Sequence, residues 1–376
     1  MSVNKTQPSH ELGITPGGQR LETIPALDGL RGLAILLVLW HHVPYLFDRT
    51  LHAHPFWRWS NGGGVGVDLF FVVSGFLITS LLWKVREEPG GLRRFWVRRA
   101  LRIFPLYYVV LMVTCGVLWS GWVVPTDGGY PADVWALWPY LVYLGNLQIG
   151  LEGYPTGAFN ILWSLCIEEQ FYLLWPFLVL RLPVRSLVAL CQLILLLSPL
   201  LRLGILAGVG PVAAHVWTLA HLDPLALGCW VALWRVSGGE QQGGEGWRRW
   251  TFLLGLAGLL GYLGGPLSAP GGASLGWLLV GYGVLGGCMT GLLLSSLERE
   301  GIWARGLSFR PLGWWGRRCY GLYLWHWLIG MGVVKLTPGW TVWEQVMLWS
   351  VLLMLGVELS WRWLEAPLLR LKARWG

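Results

Sequence analysis

The chain has 376 residues, of which 55% are hydrophobic and 13% charged, and its mean hydropathy is +0.53. Long apolar runs exclude an ordinary soluble domain and indicate a polytopic membrane protein. The net charge of +8 is spread over basic clusters between apolar runs, which is a poor match for nucleic-acid binding. The six cysteines form no CxxC pair, so we expect neither a disulfide framework nor a metal site.

The hydropathy pattern predicts an all-α bundle of about ten transmembrane helices. The predicted spans are residues 27–45, 64–83, 104–124, 163–181, 187–206, 214–235, 251–265, 274–297, 319–336 and 342–363. The apolar segment 134–150 is short, and counting it as a further span would move the later basic clusters to the outside. It is therefore predicted to be re-entrant or interfacial.

This topology places both termini in the cytoplasm of a bacterium, in a multi-pass protein of the inner (cytoplasmic) membrane. Residues 1–24 are polar and lack the apolar core of a cleaved signal peptide, so they are predicted to be a cytoplasmic tail. A transmembrane domain is expected over residues 25–370, followed by a short cytoplasmic tail at 371–376. Most basic residues then lie inside, as the positive-inside rule requires.

Arg31 and His42 lie eleven residues apart in the first predicted span. An ionisable side chain within a membrane span is costly and indicates a functional site. Eleven helical residues rise about 16 Å and return to nearly the same face, so both side chains project alike at two depths. The pair offers a cation near one surface and a proton acceptor deeper in the bilayer, unless Arg31 only reaches to the interface and His42 only ends the helix.

The next spans carry further ionisable residues. Asp68 lies near the start of the second span, where it either orients a histidine or a basic partner, or makes a simple contact between helices. Arg98, Arg99 and Arg102 precede the third span, and arginines at a membrane surface suit phosphate groups, anionic lipids or topology control. On a helix, Arg98 and Arg102 share a face.

Two later spans add an acid and a second histidine. Ser164 and Glu168 lie one helical turn apart, and Glu168 is predicted either to orient His42 or to hold a substrate hydroxyl. The adjacent Glu169 points elsewhere. His326 lies in the ninth span, where such a residue is more often a helix contact than a catalyst, and we assign it with Ser164 to substrate binding.

Five sequence blocks in this order resemble the acyltransferase-3 family of integral membrane O-acyltransferases. They are residues 24–32 (IPALDGLRG) with the spacing to His42, 64–78 (GVGVDLFFVVSGFLI), 98–105 (RRALRIFP), 163–176 (WSLCIEEQFYLLWP) and 321–327 (GLYLWHW). The resemblance covers nearly the whole chain and implies a bundle of about ten helices. It carries the family's motif arginine and histidine onto Arg31 and His42, its basic motif onto Arg98, Arg99 and Arg102, and its acidic motif onto Glu168 beside Ser164.

One family feature is altered in this sequence. A common pattern has an arginine before an aspartate in the seventh-helix region, and here the residues are His221-Leu222-Asp223. Some members also carry an extracytoplasmic SGNH hydrolase-like domain, which we do not expect here.

The resemblance implies transfer of an acyl group, commonly acetyl from acetyl-coenzyme A, onto a hydroxyl, often of a sugar. We expect His42 to act as a general base or as a transient acyl carrier, with Glu168 or Asp68 fixing its tautomer. The arginines would hold the phosphates of acyl-coenzyme A. A cell-envelope glycan is the first choice of acceptor, a cytosolic glycosylated small molecule the second, and a proton-coupled transporter or flippase is the rival from another class.

Overall fold

A computed structural model describes residues 24–122 except 55, 56 and 58, residues 137–238 except 156, residues 282–297 and residues 301–372, with isolated helical positions at 253, 256 and 257. The regular structure in these ranges is helical, without a strand. The all-α class is therefore confirmed for the part of the chain described. The predicted span 251–265, the loops on either side of it and both tails lie almost wholly outside these ranges.

The α-helices are numbered here in chain order. They are α1 (Pro25–Phe47), α2 (Val65–Val85), α3 (Gly91–Trp119), α4 (Trp138–Leu141), α5 (Gly145–Glu152), α6 (Trp163–Arg181), α7 (Val184–Gly208), α8 (Pro211–Val216), α9 (Leu222–Val236), α10 (Tyr282–Ser296), α11 (Ile302–Leu307), α12 (Arg310–Arg317), α13 (Cys319–Leu336), α14 (Val342–Ser360) and α15 (Ala366–Lys372). Short 3₁₀ turns cover Arg49–Ala53, Trp59–Gly64, Gly157–Ile161 and Thr218–Ala220, and a π-helical turn at Trp361–Glu365 joins α14 to α15.

Five helical stretches in the described ranges are long and apolar enough to cross a membrane. They are Pro25–Phe47, Gly62–Val85, Gly91–Trp119, Val184–Gly208 and Val342–Arg370. The predicted count of about ten is thus not confirmed. Helices α6 and α13 form where spans were predicted, but glutamates, histidine and many aromatic residues interrupt their apolar sequence. Such residues are tolerated where a helix faces other protein rather than lipid.

The predicted span 214–235 is wrong as one continuous helix. The chain instead forms α8, then the 3₁₀ turn Thr218–Ala220, then α9. The break is stabilised by Arg202 of α7, whose guanidinium donates hydrogen bonds at 2.6 and 3.1 Å to the carbonyl of Ala220. A backbone group freed within a membrane protein needs such a partner, because lipid supplies none.

The predicted re-entrant or interfacial segment 134–150 contains two short helices, α4 and α5, in its described part. Tyr143 lies between them with a left-handed backbone, φ 56°. Its carbonyl accepts a hydrogen bond of 2.7 Å from Gln170, and Tyr107 donates to the carbonyl of Tyr140 at the same distance. Protein groups therefore satisfy the irregular backbone, as the prediction required. Whether the segment enters the membrane stays a prediction.

Glycines pack closely against the backbones of neighbouring helices around the candidate active site. A Cβ atom on Gly75 of α2 would lie 2.1 Å from the carbonyl oxygen of Leu225 in α9, and one on Gly228 of α9 would lie 2.0 Å from that of Val72. The first helix packs in the same way, because a Cβ on Gly29 would lie 1.7 Å from the carbonyl oxygen of Leu307. Small residues at these positions let the helix backbones approach directly.

Candidate active site

Five helices, α1, α2, α3, α6 and α13, line a partly open cavity of about 80 Å³. It is lined by Arg31, Val67, Phe70, Phe71, Ser74, Arg99, Arg102, Ile103, Ser164, Leu165, Glu168, Tyr172, Cys319, Tyr320 and Tyr323. The cavity brings all five sequence blocks together from helices far apart in the chain. The first block reaches it through Arg31 and the last through Tyr323.

One side of the cavity is strongly basic. Arg31, Arg99 and Arg102 all line it, and Arg99 also stacks over the ring of Tyr172 at 4.9 Å. Arg98 is not among the lining residues, although sequence spacing put it on the same face as Arg102. Arg99 and Arg102, three residues apart, are the pair that α3 turns toward the cavity, while Arg98 turns away. Three guanidinium groups that line one cavity suit an anionic ligand.

The carboxylate among the cavity-lining residues is that of Glu168, while Asp28 lies 3.8 Å from Arg31 on α1. Glu168 lines the cavity and accepts a hydrogen bond of 2.6 Å from the hydroxyl of Ser74 on α2. Because the carboxylate is held by Ser74, it is fixed in the cavity wall rather than beside a histidine. Ser74 was not singled out from the sequence, and its only signal was a hydroxyl in the apolar run that follows Asp68.

Two hydroxyl groups mark the other side of the cavity. The phenol of Tyr323 donates to the carbonyl of Ile161 at 2.6 Å, and the hydroxyls of Ser164 and Tyr323 lie 2.6 Å apart. Tyr323 was missed in the sequence, although it precedes His326 by almost one helical turn. Tyr323 lines the cavity, and its ring centre lies 5.8 Å from that of His326, so this wall of the cavity adjoins His326.

His42 lies behind this wall, against His326. The Nε2 of His326 is 3.1 Å from Nδ1 of His42, and the two rings stack with centroids 4.9 Å apart. Trp327 meets the His42 ring edge-on at 5.1 Å. His42 is half-buried, whereas His326 is completely buried. The prediction that Glu168 or Asp68 contacts His42 and fixes its tautomer is wrong, because the structure gives the contact on Nδ1 to His326.

Asp68 belongs to a different cluster. Its carboxylate lies 3.2 Å from Nε2 of His221, at the start of α9, and both residues are buried. His215 packs against His221 with ring centroids 5.4 Å apart, and Phe71 stands between His221 and the cavity. Asp68 therefore has the histidine partner that its sequence suggested, but the partner is His221 and not His42.

Asp223, in the altered family pattern His221-Leu222-Asp223, has an arginine partner in the folded protein. Arg202 from α7 is fully buried and makes two hydrogen bonds, of 2.8 and 3.0 Å, to the carboxylate of Asp223. It also lies 3.8 Å from the ring centre of Tyr282. The arginine thus comes from an earlier helix, which sequence spacing had no means to reveal.

Comparison with known proteins decides the family. A family profile described as an acyltransferase domain, of the acyltransferase-3 type, matches residues 24–361. The chain belongs to this family. The resemblance read from the five sequence blocks is thereby confirmed. No solved structure matches the chain.

Several bacterial proteins are similar to the chain. The chain is 29% identical to the peptidoglycan O-acetyltransferase OatA of Listeria monocytogenes, over 92% of this chain and 56% of the relative. It is 31% identical to the putative peptidoglycan O-acetyltransferase YrhL of Bacillus subtilis, over 92% of this chain and 55% of the relative. A putative O-acetyltransferase of Staphylococcus aureus is 26% identical over 93% of this chain and 58% of the relative. The chain therefore spans a little over half the length of these curated relatives.

Proposed function

We propose that this protein is a membrane O-acyltransferase that moves an acetyl group from acetyl-coenzyme A to a hydroxyl of a cell-envelope glycan. The observation that carries the proposal is the arrangement around the cavity. Three arginines lie on one side, and the Ser164–Tyr323 pair, with His326 and His42 behind it, lies on the other.

The arginines suit the donor. Coenzyme A carries phosphate groups at one end and the thioester at the end of a thin arm, and Arg31, Arg99 and Arg102 would hold the phosphates. The arm then points toward Ser164 and Tyr323. In this proposal Glu168 contributes by keeping the arginines in place and by contacting a polar group of the arm, while Arg98 supports the cytoplasmic surface of α3.

His42 performs the transfer step as a general base. Its free ring nitrogen takes the proton of the acceptor hydroxyl while the hydroxyl oxygen attacks the carbonyl carbon of the thioester. A carbon–oxygen bond forms, the carbon–sulfur bond breaks, and the proton passes from His42 to the leaving thiolate. The products are the O-acetyl ester and coenzyme A with a free thiol.

A relay through His42 uses the same groups in two steps. The unprotonated ring nitrogen attacks the thioester, the carbon–sulfur bond breaks, and an acyl-imidazolium forms beside the coenzyme A thiolate. The acceptor hydroxyl then attacks the acyl carbon, the carbon–nitrogen bond breaks, the hydroxyl proton passes to the thiolate, and neutral His42 is restored. In both routes the thioester reaches His42 past Tyr323, which lines the cavity and lies beside His326.

The names of the relatives support the choice of acceptor. Two of them are named as peptidoglycan O-acetyltransferases, which puts a cell-wall glycan ahead of other hydroxyl acceptors. The basic end of the bundle, defined by Asp28–Arg31, Arg99–Arg102 and Arg317–Arg318, would face the cytoplasm and the donor. The acceptor would then approach His42 from the opposite, outer side of an inner membrane.

The test uses purified protein in nanodiscs with radiolabelled acetyl-coenzyme A and isolated cell-wall glycan. Label should move to the glycan, and His42→Gln should abolish transfer while leaving donor binding nearly unchanged. Arg93→Gln serves as a control, because Arg93 is exposed on the same helix as Arg99 and Arg102. Full transfer by His42→Gln would exclude both routes.

Other outcomes separate the alternatives. Label on a glycosylated small molecule, but not on glycan, would move the acceptor to the cytosolic side. Transport of a solute or lipid without any acyl donor, together with no transfer, would reject the acyltransferase in favour of a transporter.

A further inference from the structure

The hydrogen bonds of His326 define which of its ring nitrogens carries a proton. Its Nδ1 lies 2.6 Å from the carbonyl oxygen of Tyr323 and 3.2 Å from that of Leu322. A carbonyl oxygen can only accept a hydrogen bond, so Nδ1 of His326 must be the donor. The ring is fully buried and stacked on another histidine, which disfavours a second proton on it. Its Nε2 is therefore an acceptor.

His42 is the next residue in this series of hydrogen bonds. Its Nδ1 lies 3.1 Å from that Nε2, and two acceptors would not share a contact of this length. The proton between the two rings must come from His42, which therefore carries it on Nδ1. Since the protonated nitrogen of a neutral imidazole is set by its hydrogen-bond partner, the lone pair of His42 is left on Nε2.

We infer that His326 is a positioning residue that holds His42 in the Nδ1–H tautomer and so directs the reactive Nε2 away from α13. His326 does not touch the substrate in this scheme. The His326 ring is itself oriented by the carbonyl groups of α13 that accept from its Nδ1. In addition, Trp349 of α14 donates a 2.9 Å hydrogen bond to the His326 carbonyl. This role replaces the substrate-binding role that the sequence suggested for His326.

The tautomer follows from hydrogen-bond geometry alone, whereas its catalytic meaning rests on the proposed function. A buried carboxylate commonly fixes a catalytic histidine, and here a second histidine, tied to a backbone carbonyl, replaces it. Such a partner adds no negative charge beside His42. The His42 imidazole therefore stays neutral in this low-dielectric interior until it takes the proton of the acceptor hydroxyl.

Two variants separate positioning from packing. His326→Gln keeps an amide oxygen that accepts the proton of His42 and an amide nitrogen that donates to a carbonyl. His326→Phe keeps an aromatic ring of similar size but offers no acceptor. Transfer should fall by roughly tenfold or more in His326→Phe, since a misdirected general base loses much of its contribution. His326→Gln should keep most of the activity, and donor binding should be unchanged in both.

The tautomer itself is measured without any reaction. Protein labelled with ¹⁵N-histidine is reconstituted in bilayers, and the ring nitrogen resonances of His42 are assigned by their loss in His42→Gln. The native protein should show a protonated Nδ1 and an unprotonated Nε2, and His326→Phe should change this pattern. Because this spectrum does not depend on turnover, it tests the positioning role even if acetyl transfer is never found.

Contrary results are equally clear. A protonated Nε2 on native His42 overturns the inference, and so does an unchanged His42 spectrum in His326→Phe. Equal loss of transfer in His326→Gln and His326→Phe, with His42 in its native tautomer, would mean that His326 serves packing only. If His326→Phe does not fold, the spectrum of the native protein still decides the tautomer.

Discussion

At the scale of single residues, the arginine proposed to bind the donor and the histidine proposed to transfer the proton lie in different parts of the site. Arg31 and His42 lie on the same helix, but only Arg31 lines the cavity, and His42 is reached through Tyr323 and His326. The charge that would bind the donor is thus kept apart from the imidazole. This spacing prevents the arginine from opposing the positive charge that His42 gains when it accepts a proton.

The arginines differ in their expected contribution to donor binding. Arg102→Gln should weaken binding of coenzyme A by roughly 10–100-fold, since a hydrogen bond to a charged group contributes about 1.5–3 kcal/mol. Arg98→Gln should have a smaller effect, because Arg98 does not line the cavity, and exposed Arg93→Gln should have almost none. Isothermal titration in detergent measures all three. Equal losses for Arg98 and Arg102 would show that coenzyme A binds at the surface of α3 instead.

Cys319 provides an independent probe of the same cavity. Its thiol lies in the wall formed with Arg31 and Arg102, so bound coenzyme A should slow its alkylation by N-ethylmaleimide several-fold. Cys115, which is half-buried on α3 and outside the cavity wall, is the internal control. Peptide mass spectrometry reads both rates in one sample. Equal rates with and without coenzyme A would place the donor elsewhere.

At the scale of helices, glycine contacts set the position of the site. α2 supplies Ser74 to the cavity, and the adjacent Gly75 lies directly against the backbone of α9. A side chain there would push the two helices apart and move Ser74 together with its partner Glu168. Close packing and site geometry are therefore coupled along this one helix.

Gly75→Ala should destabilise the protein by about 1–3 kcal/mol, since its new methyl group overlaps the Leu225 carbonyl. The matched control is Gly204→Ala on α7, where a Cβ meets nothing within 4 Å. That variant should be neutral or slightly stabilising, because alanine favours a helix. Thermal unfolding followed by tryptophan fluorescence compares them. Equal melting temperatures for Gly75→Ala and the native protein would mean that the helices separate at little cost.

At the scale of the whole molecule, the basic segments meet at one end of the bundle. Arg317 lies 3.6 Å from Asp28 at the start of α1, and Arg318 pairs with Glu358 of α14 at 2.7 Å. Arg31, Arg99 and Arg102 share the cavity close to this end. Segments far apart in the chain thus place their arginines at one end of the bundle, which supports the proposed cytoplasmic orientation.

Cysteine labelling tests this orientation. Arg305→Cys in α11, at the basic end, should react with a membrane-impermeant maleimide only after the cells are permeabilised. Trp340→Cys, in the exposed turn between α13 and α14, should react in intact spheroplasts. Both variants are made in a background in which the native cysteines are replaced by serine. The reverse pattern would invert the topology and place the arginines on the outer side.

The sequence by itself determined the membrane class, the family and the charged residues that line the cavity, because apolar runs and short motifs are local properties of the chain. It also placed Arg31, Glu168 and His42 on the right helices. Only the tertiary structure decided the pairings: His326 with His42, His221 with Asp68, and Arg202 with Asp223. It also broke the predicted span at 214–235, where a buried arginine holds the free backbone. Each of these contacts joins helices distant in sequence, and helix spacing describes only which residues share a face of one helix, not which face meets which.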